Sequence, residues 1–290
     1  MTGFVDRFWR SADGLALHGR DYAGAEGEAR LPVICLSGLT RNAADFEDVA
    51  PWIAARGRRV LALDHRGRGG SAWDPNPMNY TAPTYAGDVL ALIDAAGIGR
   101  AVFVGTSLGG LVTMVLASLR GPAVAAAVLN DVGPSLNPEA LRRIGAYTGQ
   151  DPGAATWAEA AAHARRINGD AFPHYGERDW AAFARRVFVE DERGRPRLAY
   201  DPEIAAPIRA AGPDALAPDI TPLFVTLATG RSLLLVRGGR SDLLDPPRAE
   251  QMRALAPHMA YAEVPGVGHA PMLDEPVARA ALADFLDQVP

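Results

Sequence analysis

Short, continuous apolar runs punctuate the chain, and the stretches between them are long enough to hold helices. Val33-Ile34-Cys35-Leu36, Ala101-Val102-Phe103-Val104 and Leu233-Leu234-Leu235-Val236 have no alternating polar face, the pattern of strands buried on both sides of a sheet. Similar runs lie near Val60 to Leu63, Val124 to Leu129 and Tyr261 to Val264. Phe4 to Arg10 and Leu15 to Tyr22 flank Ala12-Asp13-Gly14, a hairpin-type turn, so the sheet is expected to begin with an antiparallel pair. The prediction is an α/β fold: a mostly parallel, twisted sheet of eight strands with helices on both faces.

Between Pro134 and Pro218 the pattern changes. Alanine, arginine and aromatic residues dominate and no buried-strand run stands out, so this stretch reads as a helical insertion. The expected organisation is a core of residues 1–133 and 219–290 interrupted by a helical insertion over 134–218. Trp157, Phe172, Trp180, Phe183 and Phe188 lie in the insertion. They can seat it on the core or line a pocket beneath it, and the sequence leaves both readings open. Arg165-Arg166 and Arg185-Arg186 fit solvated helix faces.

Composition narrows the chemistry. The 290 residues are 48% hydrophobic and 22% charged, enough for one sizeable core, and the net charge of -5 offers no basic field for nucleic acid. Every basic residue is arginine. The missing lysine excludes a Walker phosphate loop, a lysine Schiff base and a Ser-Lys pair. Cys35, the single cysteine, lies in an apolar run and reads as a core residue. Asp6, Arg7 and Arg10 break any apolar block near the start, and no run approaches the roughly 20 residues of a membrane span. A soluble cytoplasmic protein is expected, with no membrane or nucleic-acid partner. Scattered histidines and the lack of a dinucleotide fingerprint predict neither metal nor cofactor.

Gly105-Thr106-Ser107-Leu108-Gly109 follows a predicted buried strand and precedes the apolar, helix-forming run Leu108 to Leu119. A sharp strand-to-helix turn there lifts the Ser107 hydroxyl clear of the sheet, and small residues at 105 and 109 relieve the crowding that such a turn creates. A serine nucleophile needs a base. His269, in the glycine-rich loop Gly266-Val267-Gly268-His269 after the last strand, is the leading candidate, with His65 after an earlier strand as an alternative. Asp242, in the loop after Leu233 to Val236, is the leading carboxylate to orient the imidazole. Asp131 also ends a strand and is the alternative acid; Asp245 is a third choice. The backbone N–H groups of Leu39 and Leu108 are candidate oxyanion donors.

Taken in order, Ser37-Gly38-Leu39, Asp64-His65-Arg66-Gly67-Arg68-Gly69-Gly70-Ser71, the Gly105 to Gly109 turn and Gly268-His269 resemble the landmarks of the α/β-hydrolase superfamily over nearly the whole chain. Two departures are Ser37, where the superfamily often has histidine, and the extra Arg68 and Gly70. The order Ser107, Asp242, His269 matches what the resemblance implies. It also implies a cap over the site. Dehalogenases and epoxide hydrolases of the superfamily carry aspartate at the nucleophile position, so Ser107 points elsewhere. The expected activity is cofactor-free hydrolysis of a small ester or lactone through an acyl-enzyme. One alternative is cleavage of a C–C bond in a diketone-type substrate, with Arg41, Arg142 or Arg143 binding a carboxylate. The other is a capped ligand sensor.

Overall fold

The computed structural model describes residues 3–25, 30–212 and 219–289. Strands β1 (Val5–Arg10) and β2 (Ala16–Tyr22) form the expected antiparallel hairpin. They are followed by β3 (Val33–Leu36), β4 (Val60–Asp64), β5 (Ala101–Thr106) and β6 (Val124–Asn130). After the insertion and its own short hairpin, β7 (Phe188–Glu190) and β8 (Pro196–Leu198), the sheet is completed by β9 (Ser232–Gly238) and β10 (Ala260–Val264). The order across the eight-stranded sheet is β1-β2-β4-β3-β5-β6-β9-β10. Only the β1–β2 and β2–β4 pairings are antiparallel.

The continuous apolar strands bury both faces because helices cover both. On one side α2 (Ala82–Ala95), α3 (Leu108–Leu119) and α8 (Thr221–Ala228) contribute Val89, Val112 and Phe224 to a core that takes Ile34 and Leu36 from β3. On the other, α1 (Val49–Ala54) and α10 (Pro276–Gln288) contribute Ile53, Leu282 and Phe285 to a core that takes Val33 and Cys35 from the same strand. This alternation is the two-residue period of a strand read out in packing. Cys35 is fully buried, and burial pushes its thiol pKa up.

Between β6 and β9 the chain forms α4 (Pro138–Tyr147), α5 (Trp157–Asn168), α6 (Glu177–Val187), the β7–β8 hairpin and α7 (Ala206–Ala211). The insertion is therefore not all helical. Each hairpin strand has three residues and Val189 and Glu190 are exposed, so no apolar run marks it in the sequence. Residues 213–218, at the end of the expected insertion, lie outside the described residues. Helix α9 (Pro246–Leu255) connects β9 to β10. Arg237 and Gly238, expected in the loop after β9, instead extend that strand.

The loop after β4 is a structural hub. Asp64 Oδ1 accepts from Ala43 N–H (2.7 Å) and Oδ2 from Gly70 N–H (2.8 Å), tying the loop to the chain after β3. Arg66 is buried and gathers Asp13, Asp74 and Asp88 around its guanidinium. Arg66→Met would leave Asp74 and Asp88 buried without their cation. It should cost about 3–5 kcal/mol of stability, read by chemical denaturation.

In its protonated form His18 donates from Nδ1 to Asp64 Oδ2 (2.6 Å) and from Nε2 to Asp6 Oδ1 (2.9 Å). Burial works against its charge, but these two carboxylates outweigh it and raise its pKa above the ordinary 6.5. A raised histidine stabilises the fold fully below the unfolded value and loses that contribution as pH climbs through the folded one. The stability gap between the wild type and His18→Gln should be wide at pH 6 and shrink by pH 9 in parallel urea titrations.

Candidate active site

The elbow between β5 and α3 is built by backbone crowding. A Cβ at Gly105 would lie 2.5 Å from Gly109 C and Gly110 N, and one at Gly109 would lie 2.1 Å from the Leu36 carbonyl oxygen. Only hydrogen fits in either place. Ser107 itself takes φ 51° and ψ -115°, a conformation costly for a residue with a side chain and tolerated where surrounding structure enforces it. Part of that enforcement is visible: Ser107 N–H donates to the Asn130 carbonyl on the adjacent strand β6 (3.0 Å).

His269 Nε2 lies 2.9 Å from Ser107 Oγ, and His269 Nδ1 lies 2.7 Å from Asp131 Oδ2. The histidine loop is held from two sides. Asn130 Nδ2 donates to the Pro271 carbonyl (2.8 Å), and Gly268 N–H donates to Ala171 O in the insertion (2.8 Å). Asp131 is fully buried. Its N–H donates to Val236 O (2.7 Å) and its Oδ1 accepts from Gly238 N–H (2.9 Å), so strand β9 fixes the carboxylate that faces the imidazole.

Asp242, the leading acid from sequence, is not at the imidazole. It is half exposed and forms a bidentate pair with Arg143 on α4, at 2.7 to 3.0 Å. Asp131, the alternative, occupies that place. The reason is topological: β6 neighbours β5, and Asp131 immediately follows β6 at φ 56°, whereas three residues separate Asp242 from the end of β9 and carry it out toward α4. Asp245 caps α9 through Arg248 N–H (3.1 Å) and pairs with the Arg248 guanidinium. His65 is buried against the Tyr85 ring, and burial followed by the nearby Arg68 charge lowers its pKa to about 3. It stays neutral in the core and makes no contact with Ser107.

The cavity in front of Ser107 is lined by Leu39, Arg41, Tyr147, Phe172, His269 and Met272, among others. Leu39 lies on the turn after β3, Leu108 is the first residue of α3, and neither N–H donates to another group among the described residues. Fully buried Arg68, one of the two departures from the motif, donates from Nε to Leu39 O (3.0 Å) and from Nη1 to Tyr85 Oη (2.7 Å). The arginine that looked superfluous in sequence therefore anchors the turn beside Ser107. Phe172 lines the serine cavity, Phe183 and Phe188 line a neighbouring one, Trp180 packs among aromatics, and Trp157 lies beneath Arg185. Three of the insertion aromatics thus face cavities, while Trp180 and Trp157 pack against other residues of the insertion.

A mostly parallel eight-stranded sheet with a serine on the β5–α3 elbow, and a histidine in the loop after the last strand, is the α/β hydrolase fold. The chain belongs to the alpha/beta hydrolase family, whose model matches residues 33–282. It is similar to a 3-hydroxybutyrate-oligomer hydrolase of Cupriavidus necator, 36% identical over 260 residues that cover 87% of each chain. It is also similar to an sn-1-specific diacylglycerol lipase of Mus musculus, 28% identical over 273 residues, 91% of this chain and 81% of the lipase. A crystal structure of an alpha/beta hydrolase from Novosphingobium aromaticivorans superposes with a TM-score of 0.91 at 45% identity, covering 99% of both chains.

No helix among the described residues is long and apolar enough to cross a membrane. Gly109→Ala should force the Leu36 backbone aside and destabilise the protein by about 3 kcal/mol, the upper end for overpacking, read as a fall in Tm.

Proposed function

We propose that the protein is a serine hydrolase cleaving small carboxylic esters, those of short hydroxyacids among them, through an acyl-enzyme. The observation that carries this reading is the unbroken chain from Ser107 Oγ through both imidazole nitrogens to the buried carboxylate of Asp131. Ser107 Oγ attacks the ester carbonyl while His269 Nε2 takes its proton. Asp131 holds the Nδ1–H tautomer and steadies the imidazolium. The developing oxyanion is received by Leu39 and Leu108 N–H, which have no competing acceptor among the described residues, and Arg68 keeps the Leu39 turn in place through its carbonyl. His269 then returns the proton to the departing alcohol. Water repeats the cycle and releases the acid.

The described part of the insertion, residues 134–212, serves as the cap over this site. It supplies Phe172 and Tyr147 to the cavity wall, which suits an uncharged substrate with a short apolar part. The oligoester named for the Cupriavidus relative is of that chemical type. C–C hydrolysis of a carboxylated dienol calls for a cation free to bind it. Arg41 is engaged by Asp45 and Arg143 by Asp242, while Arg142 is exposed on α4, so that alternative has less support.

Ser107→Ala should lower kcat toward short esters by about a million-fold. Asp131→Asn should cost about 10⁴-fold by releasing the wrong tautomer. Asp242→Asn should stay within a few-fold of wild type. A reversed order for the two aspartates would overturn the assignment.

A further inference from the structure

A second cavity adjoins the first beneath the insertion. The two share Thr40, Arg41, Tyr147 and Asn168 in their walls, and all four side chains carry hydrogen-bonding groups. Beyond this collar the second chamber is largely apolar, with Ile167, Phe183, Val187, Phe188 and Leu198 on its walls. Polar groups at the edge of an apolar chamber are costly to leave without partners.

The shared residues have hydrogen-bonding groups to spare. Arg41 Nε and Nη2 hold both oxygens of Asp45 at 2.7 to 2.9 Å, and the guanidinium lies 4.1 Å over the Phe183 ring. Arg41 Nη1, Thr40 Oγ1 and Tyr147 Oη bond to nothing among the described residues. Asn168 commits its Nδ2 to Ala164 O (2.9 Å), leaving its amide oxygen as an acceptor. Because Asp45 already neutralises Arg41, the collar suits a neutral oxygen group better than a carboxylate.

We infer that the collar and second chamber form a binding subsite for a second ester unit, so that the enzyme selects linear di- and oligoesters of short hydroxyacids over simple esters. Such a chain alternates ester oxygens with short hydrocarbon segments, matching the alternation of polar collar and apolar chamber. One ester lies at Ser107, the neighbouring ester carbonyl or terminal hydroxyl lies in the collar, and the next hydrocarbon segment enters the chamber. This subsite rests on the ester-hydrolase reading of Ser107 and adds a specificity to it.

The test compares kcat/KM for the linear dimer ester of 3-hydroxybutyrate with that for ethyl butyrate, which lacks the second oxygen group. Wild type should prefer the dimer. Tyr147→Phe, which removes one collar hydroxyl, and Ile167→Trp, which fills the chamber, should each lower that preference about tenfold, the scale of one well-made hydrogen bond. Calorimetric binding of the dimer to Ser107→Ala should weaken similarly when Tyr147→Phe is added. A preference unchanged in both variants overturns the subsite. Dimer turnover that survives Ser107→Ala overturns the underlying hydrolase reading instead, so the two failures are told apart.

Discussion

The structure depends on how closely three backbone segments approach one another at the end of β5. Gly105, Gly109 and the carbonyl of Leu36 meet at distances that exclude even a methyl group. That contact fixes helix α3 against β3 and β5, and it forces Ser107 into its unusual conformation. The strain is local and the compensation is global: a sheet buried on both faces holds the strand ends in register while the serine is pressed outward.

From that point the remaining groups are placed by adjacency in the sheet. Strand β6 lies beside β5 and β9 lies beside β6, so Asn130 and Asp131 stand between the serine turn and the Gly238 backbone. Asn130 bonds to Thr106 on one side and to the histidine loop on the other. Consecutive residues thus serve two functions: one spaces the loops, and the other orients the imidazole. Asp131 was marked in the sequence by its place at a strand end, whereas nothing local marked Asn130.

Much of this was legible in the sequence. All eight main strands appear where the sequence places them: β3 to β6 and β9 as apolar runs buried on both faces, with no alternation to confuse with a helix, and β1 and β2 as the arms of a hairpin. Ser107 and His269 were visible because tight turns and glycine-rich loops leave a residue signature. The aspartate beside the imidazole was not. Asp131 and Asp242 both follow strand ends, and choosing between them requires knowing which strand lies next to β5, a matter of sheet order that no local pattern carries. The β7–β8 hairpin escaped notice for a different reason, since it is short and exposed and draws no apolar signal. Arg68 looked like an interruption of a motif, and its value emerges only when its partners on the β3 turn and α2 are seen together.

The hydrogen bond from Gly268 to Ala171 joins the loop bearing His269 to the insertion, at a separation where a Cβ on Gly268 would lie 2.7 Å from Ala171 Cα. The insertion and the loop that carries His269 are therefore joined backbone to backbone, with no room for a side chain between them. A larger residue at position 268 would push on both at once, so the geometry of the imidazole and the seating of the insertion cannot be altered separately at that point.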